Sequence, residues 1–201
     1  MFDRTEVCTI EYKTRGVKLI TGSGCTVKAI KIVNASGYEI TEFINNKILK
    51  LNSTYALASE QLQSNIPIWN NNTVLWNTAN PYLYIRATTD GRIIIGGRDE
   101  EYYNPLRRDK LIERKTAQLK KDFFKLFPNT ELVPEFSWTG TFGSTSDALP
   151  YIGKYHKTPH TYYALGFGGN GITFSVIAAE IIRDMIMGKR NVDSNICSFT
   201  R

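Results

Sequence analysis

Cysteine and histidine are scarce in this 201-residue chain, with three of the first and two of the second. Cys8, Cys25 and Cys197 are odd in number, widely spaced and never in a Cys-x-x-Cys pair. That pattern supports neither a disulfide framework nor a zinc site. His156 and His160 lie four apart, but Pro159 between them reads as loop rather than helix, so no metal site is expected. There is no Gly-x-Ser-x-Gly and no well-placed histidine, which leaves hydrolase chemistry without support. Nor does any run approach the ~20 apolar residues of a membrane span. Met1 to Glu6 has no signal-peptide character, so the expectation is a cytoplasmic protein with no membrane partner. The dinucleotide fingerprint is missing as well. Gly22-Ser23-Gly24 sits in a hairpin and Gly166-Phe167-Gly168 precedes the last helix. Neither opens a βαβ unit with an acidic residue about 20 positions on.

A net charge of +6 raises the question of nucleic acid. Much of it comes from Arg107, Arg108, Lys110, Arg114, Lys115, Lys120 and Lys121, interspersed with Asp109, Glu113 and Asp122. Apolar positions keep their own face in that segment, so the charges read as a solvated helix face and no nucleic-acid partner is expected.

The first forty residues alternate as strands do. Val7 to Tyr12 and Val17 to Thr21 are two runs, and Gly22-Ser23-Gly24 turns into a third, Cys25 to Val33. That run ends at Asn34-Ala35-Ser36-Gly37, where a glycine just past a strand's carboxyl end suits close approach of backbone to a ligand. Tyr55 to Leu62 and Thr73 to Asn77 read as strands joined by a polar loop holding Asn65, Pro67 and Asn70-Asn71-Asn72. Tyr82 to Thr88 and Ile93 to Gly97, separated by Asp90-Gly91, give a strong hairpin signal. Pro105 opens a helix whose apolar positions Leu111, Ile112, Leu119, Phe123, Leu126 and Phe127 recur at helical spacing until Pro128. Ile172 to Ile186 is a second apolar helix, ended by Gly188.

Two dense motifs stand out near the end. Gly166-Phe167-Gly168-Gly169-Asn170-Gly171-Ile172-Thr173-Phe174-Ser175 places four glycines in six positions before a helix, more than a turn requires. Such a stretch lets a planar or anionic ligand reach bare N–H groups at the positive end of the helix dipole. About 20 residues earlier lies Trp138-Thr139-Gly140-Thr141-Phe142-Gly143-Ser144-Thr145-Ser146-Asp147-Ala148-Leu149-Pro150-Tyr151-Ile152-Gly153. Asp147 reads as structural, capping backbone N–H groups of a turn that Pro150 stiffens. Tyr82, Tyr84 and Arg86 share one strand face by the period of two. From the residues alone, that face is polar and exposed, with tyrosines covering the sheet.

In this order and spacing the two motifs resemble the flavin-facing C-terminal half of the D-amino-acid oxidase (DAO) type of FAD-dependent oxidoreductases. The resemblance runs from about Val7 to the end and implies a mixed fold, α+β with an α/β part. Residues 1–40 would be residual FAD-binding strands. Residues 41–137 would be a largely antiparallel substrate-type sheet with a covering helix. Residues 138–201 would return to the FAD-binding domain with the flavin-facing loop and last helix.

For cofactor contact the resemblance implies Gly37, Gly168, Gly169, Asn170, Gly171, Ile172 and Thr173. Trp138, Asp147, Pro150 and Gly153 would hold the motif loop. It makes the face of Tyr82, Tyr84 and Arg86 one wall of an active site. Tyr84 and Arg86 are then the catalytic candidates, Arg86 gripping a substrate carboxylate. The chain departs from the pattern in three places. Thr173 stands where sarcosine-oxidase-like members carry a lysine. Phe142 occupies the place of a carboxylate-binding arginine in glycine-oxidase-like members, among the substrate-lining positions. Gly140 lies where some relatives tether flavin through cysteine, so FAD is expected to be non-covalent.

The implied reaction is oxidation of an amine or amino-acid C–N bond by hydride transfer to flavin, with deamination on hydrolysis and no obligatory general base among these residues. Without the fingerprint the chain looks like the back half of an enzyme. Three expectations follow: a split or assembled enzyme whose N-terminal half is a separate polypeptide, an inactive truncated product, or an interaction module reusing the fold; a homo-oligomer is the other partner expected.

Overall fold

A computed structural model describes residues 2–42, 44, 48–62, 73–102 and 104–201. The polar loop expected around Asn65, Pro67 and Asn70 to Asn72 lies outside the described residues. The chain divides into two compact units: Met1–Lys50 with Gly143–Arg201, and Leu51–Phe142. The fold is mixed α/β with mostly antiparallel sheets, as the sequence predicts.

In the first unit, β1 (Val7–Lys13), β2 (Gly16–Thr21) and β3 (Thr26–Ala29) form an antiparallel sheet in chain order. The expected continuous run from Cys25 to Val33 is corrected here. It breaks at Ile30-Lys31, and its second part becomes β4 (Ile32–Asn34) in a different sheet. β4 runs parallel to β11 (Thr161–Leu165), which pairs antiparallel with β10 (Tyr151–Lys154). Alternation reports only that residues are extended, not which strand they pair with, so the division was invisible to it. Helix α3 (Gly171–Ile186) lays Ala178, Ile181 and Ile182 against Ile152, Tyr162, Ala164 and Cys197. That is the i, i+3, i+4 stripe of an amphipathic helix. Gly188 follows its end with φ +70°.

The second unit is a five-stranded sheet in the order β6-β7-β8-β5-β9. Its strands are β5 (Lys50–Ser59), β6 (Val74–Trp76), β7 (Tyr84–Ala87), β8 (Ile93–Glu101) and β9 (Pro134–Ser144). β7 and β8 form the predicted hairpin, with Gly91 at φ +82° in its turn. The single helix expected from Pro105 is instead two, α1 (Pro105–Lys110) and α2 (Ile112–Leu126). Leu111 joins them by giving its N–H to Arg108, a tighter turn that hydrophobic periodicity cannot distinguish from unbroken helix. Asn104 caps α1 by accepting the Arg107 N–H at 2.8 Å.

Leu119 and Phe123 of α2 pack with Tyr55, Leu57, Ile85, Ile93 and Ile95 of the sheet. Each such side chain contributes about 1.5–3 kcal/mol by leaving water. This core fixes which sheet face is covered. Ile85 and Ile95 face the helix, so their neighbours Tyr84 and Arg86 face the other way.

Candidate functional site

Consider first the glycine-rich loop, within the first unit. Strand β11 is buried along its whole length, and the chain must turn sharply to leave it. Gly166 does so at φ +77°, where a Cβ would meet Thr145 Cγ2 at 2.7 Å. Gly168 then donates its N–H to the Gly143 carbonyl at 3.1 Å, tying the loop to the Trp138–Gly153 block. Asn170 donates to Phe167, and the first helical bond runs from Phe174 to Asn170. The N–H groups of Gly168 and Asn170 are therefore already spent inside the chain. Among the described residues, those of Gly169, Gly171, Ile172 and Thr173 make no hydrogen bond. A Cβ at Gly168 or Gly171 would meet nothing within 4 Å, so the space ahead of the helix is open. The loop thus offers unspent donors and dipole to a planar, anionic edge.

Gly37 belongs to the same edge. β4 and β11 are parallel, so the turn after Asn34 and the loop after Leu165 leave from the carboxyl ends of adjacent strands. That edge is where open α/β sheets receive ligands. Gly37 has φ +70° and opens a 3-10 turn, and nothing lies within 4 Å of where its Cβ would be.

In the motif block, Asp147 accepts the Leu149 N–H at 3.1 Å and grips the Arg201 guanidinium with both oxygens, at 2.7 and 3.1 Å. Arg201 also donates to the Leu149 and Pro150 carbonyls and stacks on the Tyr151 ring at 3.8 Å. Its hydrogen bonds hold the Asp147 carboxyl well below the usual carboxylate range. Pro150 is buried, while Gly153 at φ +123° packs against Met185. Trp138 is largely exposed on β9.

The second unit carries the other candidates. Tyr82 lies just before β7 and not within it, yet its ring stays 6.1 Å from that of Tyr84. Tyr84 sits opposite Gly96 and its phenol lies flat across that residue, where a Cβ would come within 2.2 Å of the hydroxyl. Arg86, opposite Ile94, is exposed. Burial raises the pKa of both tyrosines, and the charge of Asp99 adds to this. Phe142 is not brought to this group by pairing, because β9 is at the far edge, three strands from β7. A groove of about 400 Å3 is lined by Tyr82, Asn77, Pro81, Arg98, Asp122 and Leu126, but not by Tyr84 or Arg86.

Asp99 is the residue the sequence reading missed. Between Ser53 and Tyr55 the β5–β8 register shifts, so that Arg98 and Asp99 oppose Thr54 alone. Arg98, at φ +56°, sends its guanidinium to Asp122 of α2 at 2.6 and 2.7 Å. This bulge reverses the faces beyond it, and Asp99 turns away from the helix. Among the described residues its Oδ1 is buried without a hydrogen-bond partner. Burial raises its pKa, against a Thr54 hydrogen bond and the charge of Lys115, which lower it.

These arrangements agree with what the chain is similar to. Residues 1–185 match the DAO family model, described as FAD dependent oxidoreductase. The chain belongs to that family. It is 24% identical over 197 residues to a Haemophilus influenzae protein named "Probable oxidoreductase OrdL", covering 94% of this chain and 43% of that one. It is 29% identical over 112 residues to gamma-glutamylputrescine oxidoreductase of Escherichia coli, covering 52% of this chain and 23% of the other. Glycine oxidase from Geobacillus kaustophilus has the same fold, with a TM-score of 0.73 at 22% identity, over 100% of this chain and 53% of that enzyme. This DAO-family chain thus spans about half the length, or less, of the relatives it matches. No helix among its described residues is long and apolar enough to cross a membrane.

Proposed function

We propose that this chain is the flavin-facing part of an FAD-dependent oxidoreductase that oxidises the C–N bond of an amine or amino acid, in the cytoplasm. The carrying observation is the edge formed by Gly37 and the loop at the start of α3, with unspent N–H groups on Gly169, Gly171, Ile172 and Thr173. Those donors fit the pyrimidine edge of an isoalloxazine, which gains negative charge on reduction. Gly168 and Asn170 shape the loop instead, since their N–H groups are committed. FAD, held without a covalent bond, would supply the two-electron oxidation. The protein's part is positioning and electrostatics.

Residues 51–142 then act as the substrate-type unit, in which Tyr82, Tyr84 and Arg86 form the polar face. The Arg86 guanidinium suits a carboxylate, which it would orient bidentately. With Phe142 and Thr173 in place of charged residues, carboxylate recognition rests on Arg86. The groups that hold the FAD pyrophosphate have no counterpart in these residues, so they come from another segment or partner.

The test is the absorption spectrum of the purified chain after adding FAD and desalting. Retained oxidised-flavin bands, shifted from those of free FAD, are the expected result. A colourless protein would overturn flavin binding by this chain alone.

A second reading has one observation in its favour. Ile172 and Val176, on the first turns of α3, are 88% and 60% exposed. Apolar side chains so placed suit a polypeptide partner, as in a split enzyme or an interaction module. A chain that stays monomeric and binds neither FAD nor a second polypeptide would remove it.

A further inference from the structure

The Asp99 carboxylate is anomalous in either ionisation state. An ionised Oδ1 needs a donor and a protonated one needs an acceptor, yet Oδ1 meets neither among the described residues. The nearby cations are taken. Arg98 forms a two-bond pair with Asp122. Lys115 spends its ammonium on the Arg98 carbonyl and on Glu100, each at 2.7 Å. The bulge at Arg98 sends that guanidinium to the helix side and leaves Asp99 facing away from it. A buried polar atom left unpaired costs about 1–3 kcal/mol, so something outside this set of residues compensates it.

The surroundings indicate what that is. The Asp99 charge reaches the Tyr82 and Tyr84 phenols and raises both, and Thr54 hydrogen-bonds its carboxylate; none of these groups repels a cation. Across the β6–β7 ladder, Trp76 pairs with Tyr84 and is 69% exposed, giving the same face an apolar aromatic flank. A carboxylate with one unsatisfied oxygen beside aromatic rings is the pattern that receives an ammonium group on a carbon chain.

We propose that Asp99 is the specificity-determining carboxylate of this chain, binding the cationic nitrogen of an alkylamine on the Tyr82–Tyr84 face. The idea rests on the amine-oxidising reading above and assigns that substrate's charged nitrogen to one residue. Arg86, on the same face but opposite Ile94, serves a different charge and takes no part in holding the amine.

The experiment uses the purified 201-residue chain, with n-butylamine as probe and n-butanol as its neutral counterpart, followed by saturation-transfer NMR. Saturable binding of the amine and none of the alcohol is expected. Asp99→Asn should weaken amine binding about tenfold, the worth of one hydrogen bond to a charged group. Asp99→Ser is the second neutral variant should the first melt, with circular dichroism confirming the fold. Lys121→Ala, on the exposed side of α2, should leave the amine affinity unchanged. A folded Asp99→Asn that binds the amine as the parent does would overturn the proposal. So would a parent chain that binds no amine, since water would then suffice for Oδ1. Flavin binding measured on the same samples separates the two ideas. Amine binding without flavin binding defeats the flavin reading alone, and the reverse defeats the role of Asp99 alone.

Discussion

The loop before α3 and the outer face of the β7–β8 hairpin expose polar groups of opposite kinds. In the loop the exposed polar groups are backbone N–H donors, with open space where Gly168 and Gly171 lack side chains. On the hairpin face the polar groups are side chains, and Gly96 leaves the room that the Tyr84 ring fills. Their two carboxylates differ as sharply. Asp147 is locked to Arg201 and held below its usual pKa, whereas Asp99 has an unpaired oxygen and is pushed above it. A carboxylate whose partners are all internal stiffens a loop. One left short of a partner is available to a ligand, at a cost in stability.

The strongest way to break the contrast is Gly166→Ala. The new Cβ would sit 2.7 Å from Thr145 Cγ2 at φ +77°. Strain and overpacking together should cost about 2–4 kcal/mol, read from urea denaturation, and FAD binding should fall with it. An unchanged midpoint would overturn the close contact between Gly166 and Thr145.

Asp99→Asn should act in the other direction. Because its folded pKa is raised, Asp99 favours folding fully below the ordinary carboxylate pKa. That contribution is lost as pH rises through the raised value. Removing the charge should therefore stabilise the chain by about 1 kcal/mol near neutral pH, and flatten this part of the pH dependence. Equal melting temperatures for parent and variant across the acid-to-neutral range would contradict it.

Asp147→Asn should have the smallest effect and the opposite pH signature. Its folded pKa is lowered, so its contribution is present above the ordinary carboxylate range and lost as pH falls below it. The variant should be less stable than the parent at neutral and alkaline pH, and the two should converge as pH falls through the carboxylate range. A parent and variant with superimposable acid limbs would show that Arg201 adds nothing to the loop.

Legibility followed the same division. The loop could be read because its chemistry is written as missing side chains, and glycines in density are visible in any register. Even so, the sequence could not tell which N–H groups stay free. Gly168 and Asn170 were grouped with the donors, but Gly143 and Phe167 take their hydrogens. On the hairpin, Asp90-Gly91 announced the turn, and the period of two put Tyr84 and Arg86 together correctly. The same period, carried on from Gly97, would have pointed Asp99 at the helix. One extra residue at the bulge reversed it.

By itself, then, the sequence determined the family, the mixed fold, the hairpin and the apolar stripe of α3, since these rest on local spacing and on residue types no other arrangement tolerates. Only the tertiary structure decided that Cys25 to Val33 serves two sheets, that the long helix breaks at Leu111, and that one Asp99 oxygen finds no hydrogen-bond partner among the described residues. Each of these depends on which groups meet across distant parts of the chain. Pairing and register are properties of two segments at once, and no pattern within one segment contains them.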